Sequence, residues 1–408
     1  MGLVEAIKKH SIANPISNIE SSKALSHFLN NGFPTNKDEE WKYTSLKQLI
    51  SNDFVIEAEG EEISQDEIDS STLKTKNQII FLNGVLVKKP ELEGVLITSF
   101  TDKNPSFEDA FTALNAAYAN NGYSINVDKN AHIEACIEVI FLSKNKNNNF
   151  IQYRNKIDLN ENSSIKIIEH FKCLDNNLCF TNSLTNINLK KSSNIEFNKL
   201  QNHNDFQIVV DNTVVNQEEK SYSTINTLLL GGKFTRNNLS FYQNGEYCES
   251  NMNGVVVLNN NEFGDNHTYV DHKNANCESN ELYKGIYLDK SKGVFNGKIM
   301  VRPDAQKINA FQANNNLLLS DNSSINSKPQ LEIYADDVKC SHGCTIGQLD
   351  EDALFYMKSR GIGDEEAKAV LTYAFASEAI ENISVEEVKL VAQKLVAQKL
   401  NVDLDFSV

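Results

Sequence analysis

The chain has 408 residues, 40% of them hydrophobic and 23% charged, a balance typical of a soluble globular protein. Its formal net charge of −16 disfavours nucleic acid and anionic lipid surfaces as main partners, because both would repel it. Apolar runs such as Val255 to Leu258 are far too short to cross a bilayer, so no membrane span is expected.

The first fifty or so residues have a helical pattern. An apolar stripe through Ala24, Leu25 and Phe28 ends at Asn31-Gly32, which is typical of a helix stop. The extreme N-terminus lacks a basic region followed by an apolar stretch, so a secretory signal is not expected and the cytoplasm is the predicted location. We predict an N-terminal helical region over residues 1–75.

The pattern changes to short stretches with period-two alternation over residues 76–346, separated by turns rich in Asn, Ser and Asp. Examples are Ile165 to Ile167, Ile195 to Phe197 and Leu239 to Phe241. The long amphipathic segments that a doubly wound sheet needs between strands are missing, and Asn-Gly pairs are too irregularly spaced for successive hairpins. We therefore expect a long β core.

Within this core, units of mixed polar and apolar residues recur roughly every 14 residues, beginning near Phe263, Cys277, Ser291 and Ala305. Such a repeat favours a β-helix in which each unit is a coil that buries its apolar face on its neighbours. Asparagine, which tolerates left-handed backbone conformations, is expected at the corners in place of glycine.

A helical pattern returns over residues 347–408. Two helices are predicted, separated by Gly361 and Gly363, and the pair Ser384 and Glu387 predicts a capping box that opens a third. In the third helix the pentad from Leu390 to Lys394 is repeated at once. Because a five-residue period cannot keep one apolar stripe, this helix is expected to be peripheral and is a candidate partner surface.

The densest group of reactive residues runs from Cys340 to Cys344. The seven cysteines are odd in number and contain no C-x-x-C pair, which suits reduced thiols better than a disulfide framework. In an extended segment Cys340, His342 and Cys344 share one side, so they are candidates to converge on one metal or to face one partner. A complete zinc site within the chain is not expected, because a second ligand pair is missing. Packed cysteines with a hydrogen-bonded histidine are the alternative.

A second polar concentration contains Asp265, His267, Asp271 and His272. Alternation places His272 on the opposite face from the other three, and a polar face of a solenoid needs no catalytic explanation. A carboxylate cluster of the polysaccharide-lyase kind is the competing reading, but such enzymes are usually exported. No nucleotide-binding loop, dinucleotide fingerprint or nucleophile elbow is found, so no catalytic residue is predicted.

The segment from Lys328 to Gly343 closely resembles the SufB/SufD family of iron-sulfur cluster assembly proteins. Further blocks agree in order along nearly the whole chain, namely Phe33 to Thr35, Trp41 to Thr44, Arg302 to Lys307, Asn316 to Ser320, Gly347 to Asp350 and Ser359 to Gly361. The residues around His342 are similar to those of the SufD branch, since SufB-like chains flank this histidine with Glu on both sides and lack Cys340.

The resemblance implies a mainly β fold with a right-handed parallel β-helix core between N-terminal and C-terminal helical regions. It implies a non-catalytic scaffold subunit of the SUF system that pairs with SufB through the β-helix ends and binds the SufC ATPase through the C-terminal helices. A nascent iron-sulfur cluster would be shared with SufB at their junction. By motif, His342 would contribute to that cluster and Cys340 would lie close to it.

Cys344 departs from the family pattern, in which a small residue is usual, so it is either a small apolar replacement or an additional thiol. Flavin, where the family carries it, belongs to the assembled complex and has no fingerprint in this chain. The alternative function is a homodimer of the isolated chain that acts as a metal-binding or storage module.

Overall fold

A computed structural model describes residues 2–100, 102 and 104–402 of the chain. The helices lie at the two ends of the sequence, except for one that follows the first strands. They are α1 (Leu3–Ala13), α2 (Ile19–Asn31), α3 (Lys47–Ile50), α4 (Gln65–Ser71), α5 (Ala110–Tyr118), α6 (Glu351–Ser359), α7 (Asp364–Ile380) and α8 (Glu386–Lys399). A short 3₁₀ turn covers Glu39–Trp41.

The strands fill the middle of the chain. They are β1 (Val55–Ile56), β2 (Asn77–Leu82), β3 (Val85–Lys88), β4 (Val95–Ser99), β5 (Tyr123–Val127), β6 (Ile137–Ser143), β7 (Asn149–Leu159), β8 (Ser164–Cys173), β9 (Cys179–Leu189), β10 (Asn194–Gln201), β11 (Gln207–Gln217), β12 (Tyr222–Leu229), β13 (Phe234–Gln243), β14 (Glu249–Leu258), β15 (Phe263–His272), β16 (Glu278–Tyr287), β17 (Lys292–Val301), β18 (Ile308–Leu318), β19 (Ser324–Ile333) and β20 (Val338–Gly347).

These strands form two facing sheets. Sheet A runs in the order β4, β5, β7, β9 and onward by odd numbers to β19, with β1 beside β7; sheet B runs β3, β2, β6, β8 and onward by even numbers to β20. Pairing is parallel except between β2 and β3 and between β4 and β5. Because successive strands alternate between the sheets, the chain winds as a parallel β-helix flanked by helices, and the predicted fold class is confirmed.

The repeat of about 14 residues is half a coil, not a whole one. Phe263 begins a strand of sheet A and Glu278 begins the next strand of sheet B, and a side chain meets its counterpart one coil later after about 30 residues, as Asn188 meets Asp158. One unit is therefore a strand plus a corner. The sequence pattern did not distinguish the two sheets because both bury one face in the same interior.

Left-handed corner residues include Asn130, Asn162, Asn260 and Asn276, as expected. Other types occupy equivalent corners, for example Ser192 and Lys220 among the positive-φ residues. At these corners the backbone N–H donates to a carbonyl of the next coil, as Asn162 does to Lys191 at 3.0 Å and Lys220 does to Glu246 at 2.9 Å. This bond holds the corner whichever side chain stands there.

The outer faces of both sheets are covered by helices. An apolar cluster joins α2 and α5 to the outer face of sheet A through residues such as Phe28, Phe111 and Phe180. A second cluster joins α7 and α8 to the outer face of sheet B, where Ala376 and Val396 pack with Val255 and their neighbours. The C-terminal helices are thus fixed to the β-helix.

The expectation that the third C-terminal helix is peripheral is wrong. In α8, Val388, Ala392 and Val396 recur every fourth residue and are buried; both copies of the pentad bury their alanine, Ala392 and Ala397, but only the second buries its valine. The predicted capping box is also absent: the N-cap is Val385 without a side-chain bond, and the hydroxyl and N–H of Ser384 donate to Glu196 of sheet B instead. Ser384 is therefore bound by the carboxylate of Glu196, which is distant in sequence, instead of forming the predicted capping box with Glu387.

Residues Glu39 to Thr44, which we call the N-terminal latch, cross the outer face of sheet A toward its last strand. The ring of Trp41 lies 3.7 Å from the Arg236 guanidinium carbon, and Thr44 Oγ1 donates to Asp265 at 2.6 Å. At the last strand of sheet A, Glu39 forms an ion pair with Lys328 of β19. The latch therefore joins the start of the chain to the last coil of the β-helix.

Candidate functional site

The last coil of the β-helix, formed by β19 and β20, leaves the end of the solenoid open. In the part of the chain that the structure describes, β20 pairs only with β18 and β19 only with β17, so each presents a free edge. A free edge carries unpaired backbone N–H and C=O groups that are ready to pair with another strand. The open end therefore offers two parallel strand edges at which another strand could pair.

The predicted site residues lie on the inward face of β20. Cys340 stands opposite Ala310 and His342 opposite Gln312, and both of those β18 residues are buried. On β20 itself Cys340 is half-buried and His342 is exposed, because no further coil covers them. The predicted sharing of one face by Cys340, His342 and Cys344 matches this register.

The three residues do not converge on a single metal within this chain. An extended strand rises about 3.3 Å per residue, so the α-carbons of Cys340 and Cys344 lie about 13 Å apart. No group of three or more His, Cys, Asp or Glu side chains suited to one metal ion occurs among the described residues. The row lies on the inward face of the last coil and is uncovered at the open end, so ligands from another chain would be needed to complete a site.

The two thiols of the row differ in surroundings. Cys340 packs against an apolar cluster that includes Ile308 and Ala335, and burial raises its thiol pKa while a backbone hydrogen bond from Ala310 opposes the shift. Cys344 is exposed, and its Sγ donates to Ser327 Oγ at 3.1 Å; that hydroxyl donates in turn to Asn314. Cys344 is thus oriented by polar neighbours rather than packed as an apolar residue.

Gly343 lies beside His342 with no contact that demands a glycine. A Cβ built at this position would meet no heavy atom within 4 Å, and its φ is not left-handed. Glycine in a strand interior often marks a place where another backbone or a ligand approaches closely. The residue therefore fits close approach by something outside this chain.

The second polar concentration is a structural network. Asp265 is fully buried and forms an ion pair with Arg236 at 2.8 Å and with His267 at 3.0 Å, and His267 also contacts Glu40 of the latch at 3.2 Å. Asp271 pairs with Arg302 outside the helix. Both carboxylates are paired with cations, and Asp265 also binds the latch through Thr44, so they form no open catalytic groove.

His272 lies on the opposite face, as alternation predicts. Its Nε2 meets Ser279 Oγ at 2.9 Å inside the β-helix, and burial lowers its pKa to about 4. It is therefore a neutral core histidine.

A second exposed surface lies on α6. The helix has no buried residue, and Phe355 and Tyr356 are 74% and 59% exposed. Acidic residues begin both this helix and α7, and a cavity of about 910 Å³ separates the two helices from the corner near Leu319. Tyr356 lies beside Arg360, whose guanidinium carbon is 5.2 Å from the centre of the ring, and an exposed aromatic pair of this kind is suited to docking a protein.

Sequence reasoning missed the residues beneath the site. Gln312, Asn314 and Ser327 touch or underlie the β20 row, but their importance depends on the register between β18 and β20. Alternation showed which face of its strand each of these residues occupies. No local sequence pattern showed which strands are neighbours.

Comparisons with known proteins agree with this architecture. Residues 141–375 match the family model described as SUF system FeS cluster assembly, SufBD core domain, and residues 4–101 match the SufBD protein N-terminal region. The iron-sulfur cluster assembly protein SufD of Escherichia coli is 33% identical over 89% of this chain and 88% of its own length. A SufBD family protein of Synechocystis is 27% identical over 86% and 84%, and SufD of Bacillus subtilis is 24% identical over 68% and 63%.

None of the helices formed by residues 2–100, 102 and 104–402 has the length and apolar character needed to cross a membrane.

Proposed function

Because this chain belongs to the SufB/SufD family of the SUF iron-sulfur cluster assembly system, as a homologue of SufD, we propose that it is a non-catalytic scaffold subunit whose open β-helix end pairs with SufB. A nascent cluster is the cargo of that junction. The observation that carries the proposal is the row of Cys340 and His342 on a free edge strand, an incomplete ligand set that a second chain can complete.

The chemistry of the row fits such a cargo. An imidazole is a borderline ligand that accepts iron, and thiolates are the usual ligands of iron-sulfur clusters. His342 is exposed at the open end and is our first choice as a contributor, with Cys340 near the junction. Flavin stays a prediction for the assembled complex, and the seven free thiols favour a reducing compartment such as the cytoplasm.

Anaerobic cluster reconstitution tests the scaffold proposal. Iron, sulfide and visible absorption are measured for the chain alone, for the chain with SufB and SufC, and for the same complex with His342→Ala. We expect most of the cluster to form only in the complete complex and to be lost with His342→Ala. His132→Ala, which removes an exposed histidine far from β20, is the matched control and should leave the yield unchanged.

Two results would count against the proposal. An equal yield from the His342→Ala complex would remove this residue from the site. A cluster formed by a stable homodimer of the isolated chain, measured by light scattering and metal analysis, would favour the alternative of a metal-binding or storage module.

We further propose that α6 and α7 bind the SufC ATPase. The support is the exposed pair Phe355 and Tyr356 on a helix that buries nothing within the described chain. Removal of an aromatic anchor at an interface typically weakens binding by about 2 kcal/mol or more. Phe355→Ala should therefore weaken SufC binding in calorimetry by roughly 30-fold, whereas Leu390→Ala, on the exposed side of α8, should not.

A further inference from the structure

The interior of the β-helix carries a polar row that ends at His342. Glu281 of β16 stands opposite Gln312 of β18, and Gln312 stands opposite His342 of β20. All three face inward, and neighbouring strands lie about 4.8 Å apart. Gln312 is therefore the side chain between a buried carboxyl and the predicted cluster residue.

One end of this row is bonded within the chain. Gln312 Nε2 donates to Glu281 Oε2 at 2.6 Å, and the two side chains are only 3% and 4% exposed. The amide oxygen of Gln312 is buried and has no hydrogen-bond partner among the described residues. An unpaired buried acceptor is costly, and the next side chain along the row is His342.

The space around the Gln312 amide is limited by the facing sheet. A Cβ at Gly297 of β17 would lie 2.1 Å from Gln312 Nε2, so any larger residue there would displace the amide. Two observations on separate strands thus point to the same feature, namely a glutamine held in place with a free acceptor beneath the open end.

The geometry points to Gln312 and Glu281 as positioning residues for His342: the amide oxygen of Gln312 accepts the imidazole N–H when His342 turns inward, and Glu281 holds the amide. This inference rests on the proposed function, since it concerns the support of a cluster-binding histidine. One ring nitrogen would keep the proton against Gln312, and the other would present its lone pair through the open end. Support of a ligating histidine through its second nitrogen is a general feature of metal sites.

Nitrogen NMR on the full chain with ¹⁵N-labelled histidine tests the inference without any cluster. The chain has eight histidines, and His342→Gln identifies the wanted signals. At about pH 8, where an ordinary imidazole is neutral, we expect His342 to show one dominant tautomer. Gln312→Met, which keeps the length but removes the acceptor, should shift both ring nitrogens toward the average of two exchanging tautomers.

Two further variants separate positioning from packing. Gln243→Met makes the same change at another buried glutamine, on β13, whose amide donates to Ser250 at 2.8 Å, and should leave the His342 tautomer unchanged. The swapped pair, Glu281→Gln with Gln312→Glu, retains a donor and an acceptor in the row and should restore the single tautomer. Circular dichroism of each variant shows whether the fold is kept.

The result that overturns the inference is a mixture of tautomers in the wild-type chain, or a wild-type tautomer in a folded Gln312→Met variant. Neither result would affect the scaffold proposal, which His342→Ala reconstitution tests separately. If the inference holds, Gln312→Met should also lower cluster yield in the complex, while His342→Ala lowers it further.

Discussion

His267 shows how single residues secure the latch. Burial opposes a charge on its ring, but Asp265 at 3.0 Å and the Glu40 contact outweigh burial, and the pKa of His267 is raised above 6.5. The hydrogen bond to His267 is the main cause that lowers the pKa of Glu40. The protonated imidazole thus bridges a carboxylate of the β-helix and one of the latch.

The stability that His267 contributes should depend on pH. Because its pKa is raised on folding, the contribution is complete below about 6.5 and is lost as the pH rises through the folded-state pKa. We expect His267→Gln to be less stable than the wild type at pH 6, by about 1.5–3 kcal/mol, the range of a hydrogen bond to a charged group. The difference should shrink by about pH 9.

Thermal unfolding of both proteins across this pH range measures the effect. His132→Gln is the control, because this histidine is exposed and its ring is hydrogen-bonded to a serine hydroxyl rather than to a charged group. A constant difference between His267→Gln and the wild type at every pH would show that packing, not charge, accounts for the loss.

The sequence predicted the face of Asp265 and His267 but not their partners. Alternation within one strand is local, whereas Glu40 lies 227 residues from His267, and only the folded chain brings them together. The candidate residues of β20 were found from their local density and alternation, and their role came from the resemblance, whereas Gln312 beneath them depends on the pairing of distant strands and was not found.

At the scale of elements, α8 illustrates how tertiary packing selects from a repeated sequence. The pentad repeat places Val391 and Val396 at equivalent positions, but Val396 is fully buried against sheet B and Val391 is only partly covered. The helix turns by 100° per residue, so equivalent members of a five-residue repeat point in different directions. Repetition in sequence is therefore not repetition in environment.

This difference gives a paired test. Val396→Ala should destabilise the protein by about 2 kcal/mol, because two buried methyl groups are removed and a cavity is left. Val391→Ala, the same change at the other copy, should cost clearly less. Urea unfolding followed by circular dichroism measures both, and equal losses would contradict the assigned burial of α8.

The burial of α8 was not predicted, for a physical reason. A stripe at every fourth residue, Val388, Ala392 and Val396, cuts across the pentad and includes an alanine, so it is weak in hydrophobicity. Its counterpart is a row of aliphatic side chains on sheet B, which local pattern does not show. The first two C-terminal helices were predicted because their periodicity and glycine boundary are local features, whereas the third was predicted from a capping box that the folded chain does not form.

At the scale of the whole molecule, the two ends of the β-helix are not equivalent. The first coils end in the antiparallel pairs β2–β3 and β4–β5, the former joined through Asn83-Gly84 with positive φ at both residues. The last coil ends in two parallel edges without such a pair. Asymmetry of this kind favours assembly at the β19–β20 end.

A charge placed at each end tests this asymmetry. Ile346 on β20 is 49% exposed, and Ile346→Lys should weaken the proposed association with SufB by about tenfold or more, since a lysine on an edge strand opposes pairing. Val85→Lys places the same charge on exposed β3 at the other end of sheet B and should leave association unchanged. Analytical ultracentrifugation measures the association of both variants. If only Val85→Lys weakened association, the interface would lie at the β3 end and the prediction would be wrong.

The latch also has a consequence for the order of events during synthesis. Thr44 leaves the ribosome 221 residues before its partner Asp265, and Glu39 leaves 289 residues before Lys328. At a typical elongation rate of 5–20 residues per second, Thr44 waits about 10–45 s for its acceptor. The coil that carries Asp265 must therefore be made before Thr44 can bind its acceptor, whereas Trp41 meets its stacking partner Phe111, with ring centroids 5.1 Å apart, much earlier in synthesis.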